Sequence, residues 1–206
     1  MQRFAALFAA LMLPSLAWAG DLVVSVRTPA GKPVADAVVM LEARGAAGKG
    51  PIRFAWPYRM AQKNMQFAPF VLVVPVGAEV SFPNLDVVLH HVYSFSPAKT
   101  FELKLYGHDE TRRVRFDKPG VVAVGCNIHD GMAAFVRVVD TPWAAKTDAA
   151  GEAIIRDAPE GAAQAVLWHP YLKAARNELS KPAPAGTTRL TFTAELRRPP
   201  VRHGGY

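Results

Sequence analysis

The sequence predicts an all-β protein of β-sandwich architecture, on three observations. Short apolar, β-branched runs recur along the chain between clusters of turn-forming residues. Glycine and proline are plentiful, 15 and 17 in 206 residues, which favours strands and turns over long helices. No helical period is sustained over a long window. Half of the residues are apolar and 20% are charged, which supplies a core and excludes intrinsic disorder. The length suits one large or two small domains.

Residues 1–20, MQRFAALFAALMLPSLAWAG, stand apart from that pattern. Arg3 gives a positive start, Phe4–Leu13 an apolar stretch and Ala17-Trp18-Ala19 a small-x-small site, together a secretory signal cleaved after Ala19. The apolar stretch is shorter than the roughly 20 residues that span a bilayer. No second run of spanning length follows, so the mature chain is expected in the periplasm with no membrane span.

From Asp21 onward the strands follow in order. Leu22–Arg27 and Ala37–Glu42 flank the turn Thr28-Pro29-Ala30-Gly31-Lys32-Pro33, and Arg44–Pro51 is a flexible connection. Phe70–Val76 is apolar throughout, as a strand buried on both faces would be, with Pro75 at an edge or strand end. Glu79–Phe82, His90–Phe95, Thr111–Phe116, Val121–Gly125 and Ala133–Val139 come next, then Glu152–Arg156 and Gln164–Trp168. Leu190, Phe192, Ala194 and Leu196 alternate with polar residues along a final strand. Tyr171–Leu179 is the one short helix expected, and residues 198–206 form a flexible tail.

A single cysteine, Cys126, rules out an intramolecular disulfide framework and CxxC chemistry. An unpaired thiol in an oxidising compartment is a liability unless it is buried, bridged to another chain or bound to something. Its neighbourhood, Gly125-Cys126-Asn127-Ile128-His129-Asp130-Gly131-Met132, offers thiolate, imidazole and thioether at intervals of three. The glycines, Asn127 and Asp130 argue against a helix there. A second imidazole stands upstream, in Leu89-His90-His91-Val92. Two histidines, a cysteine and a weak axial methionine are the ligand set of a copper electron-transfer site, copper cycling between Cu+ and Cu2+. Zinc accepts the same thiolate and imidazoles, and Met132 tilts the choice towards copper.

These residues carry a resemblance. Met65–Pro69, Val73–Asn84, the His90-His91-Val92 segment, Phe116–Gly120 and the short Cys126…His129…Met132 loop resemble a cupredoxin of the amicyanin/plastocyanin kind. The chain is also similar to exported bacterial proteins of the methylamine-utilisation type. The resemblance covers about residues 58–140 and implies a Greek-key β-sandwich. It implies copper held by His90, Cys126, His129 and Met132, with His129 near the surface as the electron exit. Two departures stand out. Asparagine commonly follows the upstream histidine in that family, where this chain has His91; Asn84 or Asn127 would then fasten the ligand loops. His91 is itself an alternative ligand, although strand alternation turns it to the opposite face from His90. Val122 and Val124 replace aromatic residues before the cysteine.

The flanks resemble a smaller carboxypeptidase-regulatory-like, transthyretin-like (immunoglobulin-like) sandwich: Val24–Val39, resumed at Thr147–Ile154 and Ala158–Gly161. The expected organisation is residues 21–48 and 141–197 forming that sandwich, with a copper domain over 53–140 inserted. Trp168 and His169 are candidates for a sugar or partner contact; burial of the tryptophan is the alternative.

Electron transfer between redox partner proteins is the function these readings favour. Copper delivery, storage or sensing is the alternative, as is a metal-free carbohydrate- or protein-binding module. His91, His108, His169 and His203 form no second ligand cluster, so no enzymatic centre is expected. The net charge of +7 is too dispersed for nucleic acid.

Overall fold

A computed structural model describes residues 20–43, 51–161 and 163–198. The expected secretory signal, nearly all of the expected Arg44–Pro51 connection and the expected tail beyond residue 198 lie outside the described residues. Among the described residues sixteen strands follow one another. They are β1 (Leu22–Arg27), β2 (Val38–Ala43), β3 (Ala61–Lys63), β4 (Gln66–Ala68), β5 (Val71–Pro75) and β6 (Ala78–Pro83). Next come β7 (His90–Ser96), β8 (Lys99–Tyr106), β9 (Thr111–Phe116), β10 (Gly120–Cys126) and β11 (Ala133–Val139). The last are β12 (Ala144–Lys146), β13 (Glu152–Ile155), β14 (Ala163–Trp168), β15 (Glu178–Ala183) and β16 (Arg189–Thr193). Among the described residues no helix is long and apolar enough to cross a membrane.

Strands β5-β11-β10-β7-β8 make a five-stranded sheet, and β6 pairs with β9 across from it. Between them lies a core that includes Leu72, Val74, Val80, Phe82, Val92, Phe116, Val122, Val124 and Val136. Alternation along each strand sends every second side chain into this layer.

The flanking segments pair with each other. β1 lies between β13 and β16, and β2 between β12 and β14, with β15 completing that four-stranded sheet. Their shared core holds Leu22, Val24, Val26, Val39, Leu41, Leu167 and Phe192. Gly151 joins the distant segments at close quarters. Its φ is +73°, and a Cβ there would stand 2.6 Å from the Val26 carbonyl oxygen, so only glycine fits.

A third cluster joins the two layered units. Val38, Met40, Val166 and Trp168, from the far faces of β2 and β14, pack on Val71, Val73 and Val139. Strand β5 therefore buries both faces, Leu72 and Val74 on one side and Val71 and Val73 on the other. That explains its unbroken apolar sequence. Pro75 closes β5, an edge strand of its sheet, where a missing N–H is tolerated.

Two expectations need correction. The helix over Tyr171–Leu179 is absent: only a 3-10 turn spans Ala175–Asn177, and Leu179 belongs to β15. Arg176 and Asn177 have φ of 54° and 58°, values outside the right-handed helix. The chain is turned so that Glu178 can pair with Trp168. Strand β8 is an addition. It reads KTFELKLY and alternates, but it lies at a sheet edge where only Tyr106 is fully buried, which leaves its pattern weak. The final strand is shorter than its alternation suggests: β16 ends at Thr193, and Leu196 forms an isolated bridge with Leu172.

Candidate metal centre

His90 opens β7 and Cys126 closes β10, and these strands are antiparallel neighbours with Cys126 opposite Val92. The ladder thus brings together two residues 36 positions apart. The loop after Cys126 folds back on itself. Cys126 N–H donates to the Met132 carbonyl at 3.3 Å, and Met132 N–H to the His129 carbonyl at 3.2 Å. Gly131, with φ of 83°, permits the reversal. Asn127 N–H donates to the His91 carbonyl at 2.9 Å and ties this loop to β7.

The result is a compact donor set. Cys126 Sγ lies 3.6 Å from His90 Nδ1 and 3.5 Å from His129 Nδ1. The two imidazole centroids are 4.8 Å apart. All three ligand atoms fall within 4.8 Å of one another, close enough to share a metal ion. His90 is fully buried and Cys126 is 6% exposed, while His129 is half-buried. Met132 is buried in the same core cluster as Cys126.

Electrostatics prepare the thiol. Burial alone would raise the Cys126 pKa, but it is outweighed. The His90 hydrogen bond, backbone bonds from His91 and Ile128 and a bond with His129 bring it down to about 6. Burial acts to lower the His90 pKa, and is overcome by Cys126 and Asp86, which raise it. A thiolate beside two imidazoles suits a soft or borderline ion, and the donor chemistry fits copper or zinc.

The neighbouring candidates separate. His91 points the other way, its Nε2 2.9 Å from Glu102 Oε1. Asn84 is fully buried. It donates to the carbonyls of Val88 at 2.8 Å and Tyr106 at 3.1 Å, and accepts from Asp86 N–H at 2.9 Å. It therefore holds the loop that delivers His90. Asn127 is exposed and makes its tie through the backbone rather than the side chain. Trp168 and His169, offered as a surface contact, are buried instead, at 1% and 5% exposure, because β14 is covered on both faces.

Two residues near the centre were not singled out from the sequence. Asp86 Oδ2 stands 2.9 Å from His90 Nε2. Its four-residue spacing carries no meaning outside a helix, so nothing in the sequence marks it. Tyr93 lies across the ladder from Gly125 and packs its ring on that glycine. An aromatic group beside the cysteine strand is thus supplied by β7, where β10 has only Val122 and Val124. The cross-strand register that brings it there is invisible in a linear reading.

No protein-family model matches this chain, nor does any curated protein sequence. Solved structures similar to it include cupredoxins and a copper-containing enzyme. A purple cupredoxin from Nitrosopumilus maritimus is 22% identical over 39% of this chain and 98% of its own, with a TM-score of 0.37. Amicyanin from Paracoccus versutus is 19% identical over 49% of this chain and 97% of its own, with a TM-score of 0.38. A Cu-containing nitrite reductase from Thermus scotoductus SA-01 is 28% identical over 56% of this chain but only 28% of its own, with a TM-score of 0.39.

Proposed function

We propose that this chain is an exported, periplasmic electron-transfer protein that holds one copper ion through His90, Cys126 and His129, with Met132 as a weak axial ligand. The observation that carries this reading is the convergence of two imidazole Nδ1 atoms on one buried thiol, each within 3.6 Å. Bound copper would supply a one-electron couple between Cu2+ and Cu+.

The protein's own residues support that use. The neighbours of Cys126 hold its pKa down to about 6, which favours the thiolate that a soft ion binds. The ladder between β7 and β10 fixes two of the donors, His90 and Cys126, at the ends of paired strands, which limits rearrangement when charge changes. His129, half-buried and next to exposed Ile128, stands between the centre and solvent and is the natural exit towards a redox partner protein. Copper delivery would be served by an open site; the burial of His90 and Cys126 favours retention. We also read residues 21–48 with 141–197 as a second sandwich around the copper domain, supported by the pairing of β1 with β13 and β16.

Metal analysis and a visible spectrum of the purified, copper-loaded protein test this function. One copper per chain and an intense thiolate-to-copper band are expected, and Cys126→Ser should abolish the band. A band that survives that substitution would refute the assignment. Reversible voltammetry with slow copper exchange separates electron transfer from copper delivery.

A further inference from the structure

We infer that Asp86 is the residue that sets the balance between the two copper oxidation states, acting through His90, and that the β3–β4 turn holds it in place. This rests on the copper reading above and goes beyond it. Asp86 sits in the loop before β7 with its side chain 11% exposed, and its Oδ2 faces His90 Nε2 at 2.9 Å. The same carboxylate accepts the backbone N–H of Asn64 at 2.6 Å and of Met65 at 3.0 Å. Asn64 and Met65 form the two-residue connection between β3 and β4, with φ of 54° and 53°. Two consecutive residues at positive φ make a tight hairpin turn. Here both of its N–H groups reach one carboxylate. The loop is further secured by Asp86 N–H donating to Asn84 Oδ1 at 2.9 Å and by a 3.1 Å contact between His108 Nδ1 and the Asp86 carbonyl.

The consequence follows from hydrogen-bond inventory. An ionised carboxylate only accepts, so His90 Nε2 must carry the proton. When His90 gives up its other proton to bind an ion, the lone pair is on Nδ1, the nitrogen that faces Cys126 Sγ at 3.6 Å. Asp86 thus selects the tautomer able to ligate and places a negative charge behind the imidazole, which strengthens it as a donor. A stronger donor favours the more highly charged ion. Among the described residues no carboxylate hydrogen-bonds to the second histidine, His129, which leaves the two imidazoles electronically unequal.

Asp86→Asn keeps the shape and removes the charge. Glu102→Gln, at the exposed His91 pair, removes an equal charge on the other face and serves as the control. We expect both variants to keep copper and its visible band. In Asp86→Asn the ratio of Cu2+ to Cu+ affinity should fall about tenfold, a rise of about 59 mV in reduction potential by voltammetry. Glu102→Gln should leave the potential unchanged. Equal potentials in Asp86→Asn and Glu102→Gln would overturn the inference while leaving the copper site intact. A wild-type protein without the visible band would instead remove the copper reading itself. A metal-free measurement decides the matter if Asp86→Asn fails to hold copper. Long-range proton–nitrogen NMR of metal-free Cys126→Ser, which has no thiolate to hold a proton on Nδ1, should show the neutral His90 ring protonated on Nε2. Protonation on Nδ1 would overturn the inference.

Discussion

Arg137, in the middle of β11, donates through its guanidinium to Glu178 at the start of β15 at 2.9 Å, so one ion pair links the sheet that carries Cys126 to the sheet built from the flanking segments. The guanidinium carbon also lies 5.8 Å from the Trp168 ring centroid. Arg137 Nε is buried without a hydrogen-bond partner among the described residues, so the guanidinium depends on Glu178.

Glu178→Gln is therefore expected to destabilise the protein by about 1–3 kcal/mol, since it takes from a mostly buried cation the carboxylate it is hydrogen-bonded to and leaves only the more distant charges of Asp140 and Glu42. Replacing both partners with apolar residues, Arg137→Met with Glu178→Leu, should cost less than Glu178→Gln alone. Urea denaturation of the three proteins measures both differences. An unchanged midpoint in Glu178→Gln would show that the pair does not hold the two units together.

A different kind of constraint stands beside the metal centre. A Cβ added to Gly125 would come within 3.2 Å of Tyr93 Cζ and Oη. Gly125→Ala should destabilise by about 1–2 kcal/mol by crowding that ring, and Gly125→Val by more. Combining Gly125→Ala with Tyr93→Leu should restore part of the loss, a non-additivity that a double-mutant cycle reads directly. Simple additivity would place the Tyr93 ring elsewhere.

Acid sensitivity is expected from the buried His169. Burial pushes its pKa down to about 4, against a smaller opposing effect of the Asp36 charge. The unfolded value is about 6.5, so between these limits the unfolded chain binds more protons than the folded one. Stability is then fully present above about pH 6.5 and is lost as pH falls towards about 4, on the order of 2 kcal/mol. His169→Gln should flatten this part of the stability–pH profile relative to wild type, measured by urea denaturation at successive pH values. Parallel profiles would exclude His169 as the source.

Much of this architecture is legible in the residue order. Leu22–Arg27, Thr111–Phe116 and Ala133–Val139 are strands with the bounds that their β-branched runs suggest. Burial of both faces of β5 follows from five consecutive buried side chains with no polar break. Strand β8 is harder to read because an edge strand buries little, and its Lys and Glu residues blur the alternation. Trp168 shows the opposite difficulty: its type permits either a surface contact or a core, and only packing against Val71 and Val73 decides between them.

The order of residues by itself determined the kinds of donor present and the tight spacing of Cys126, His129 and Met132, because a three-residue interval is a local property of one loop. It also turned His90 and His91 to opposite faces of one strand, leaving open which of them meets Cys126. Only the tertiary structure decided that His90 meets Cys126, that Tyr93 covers Gly125 and that Asp86 stands behind His90. Each of these contacts depends on which strands pair and in what register. That choice is made by burial over whole sheets, and no short stretch of sequence contains it.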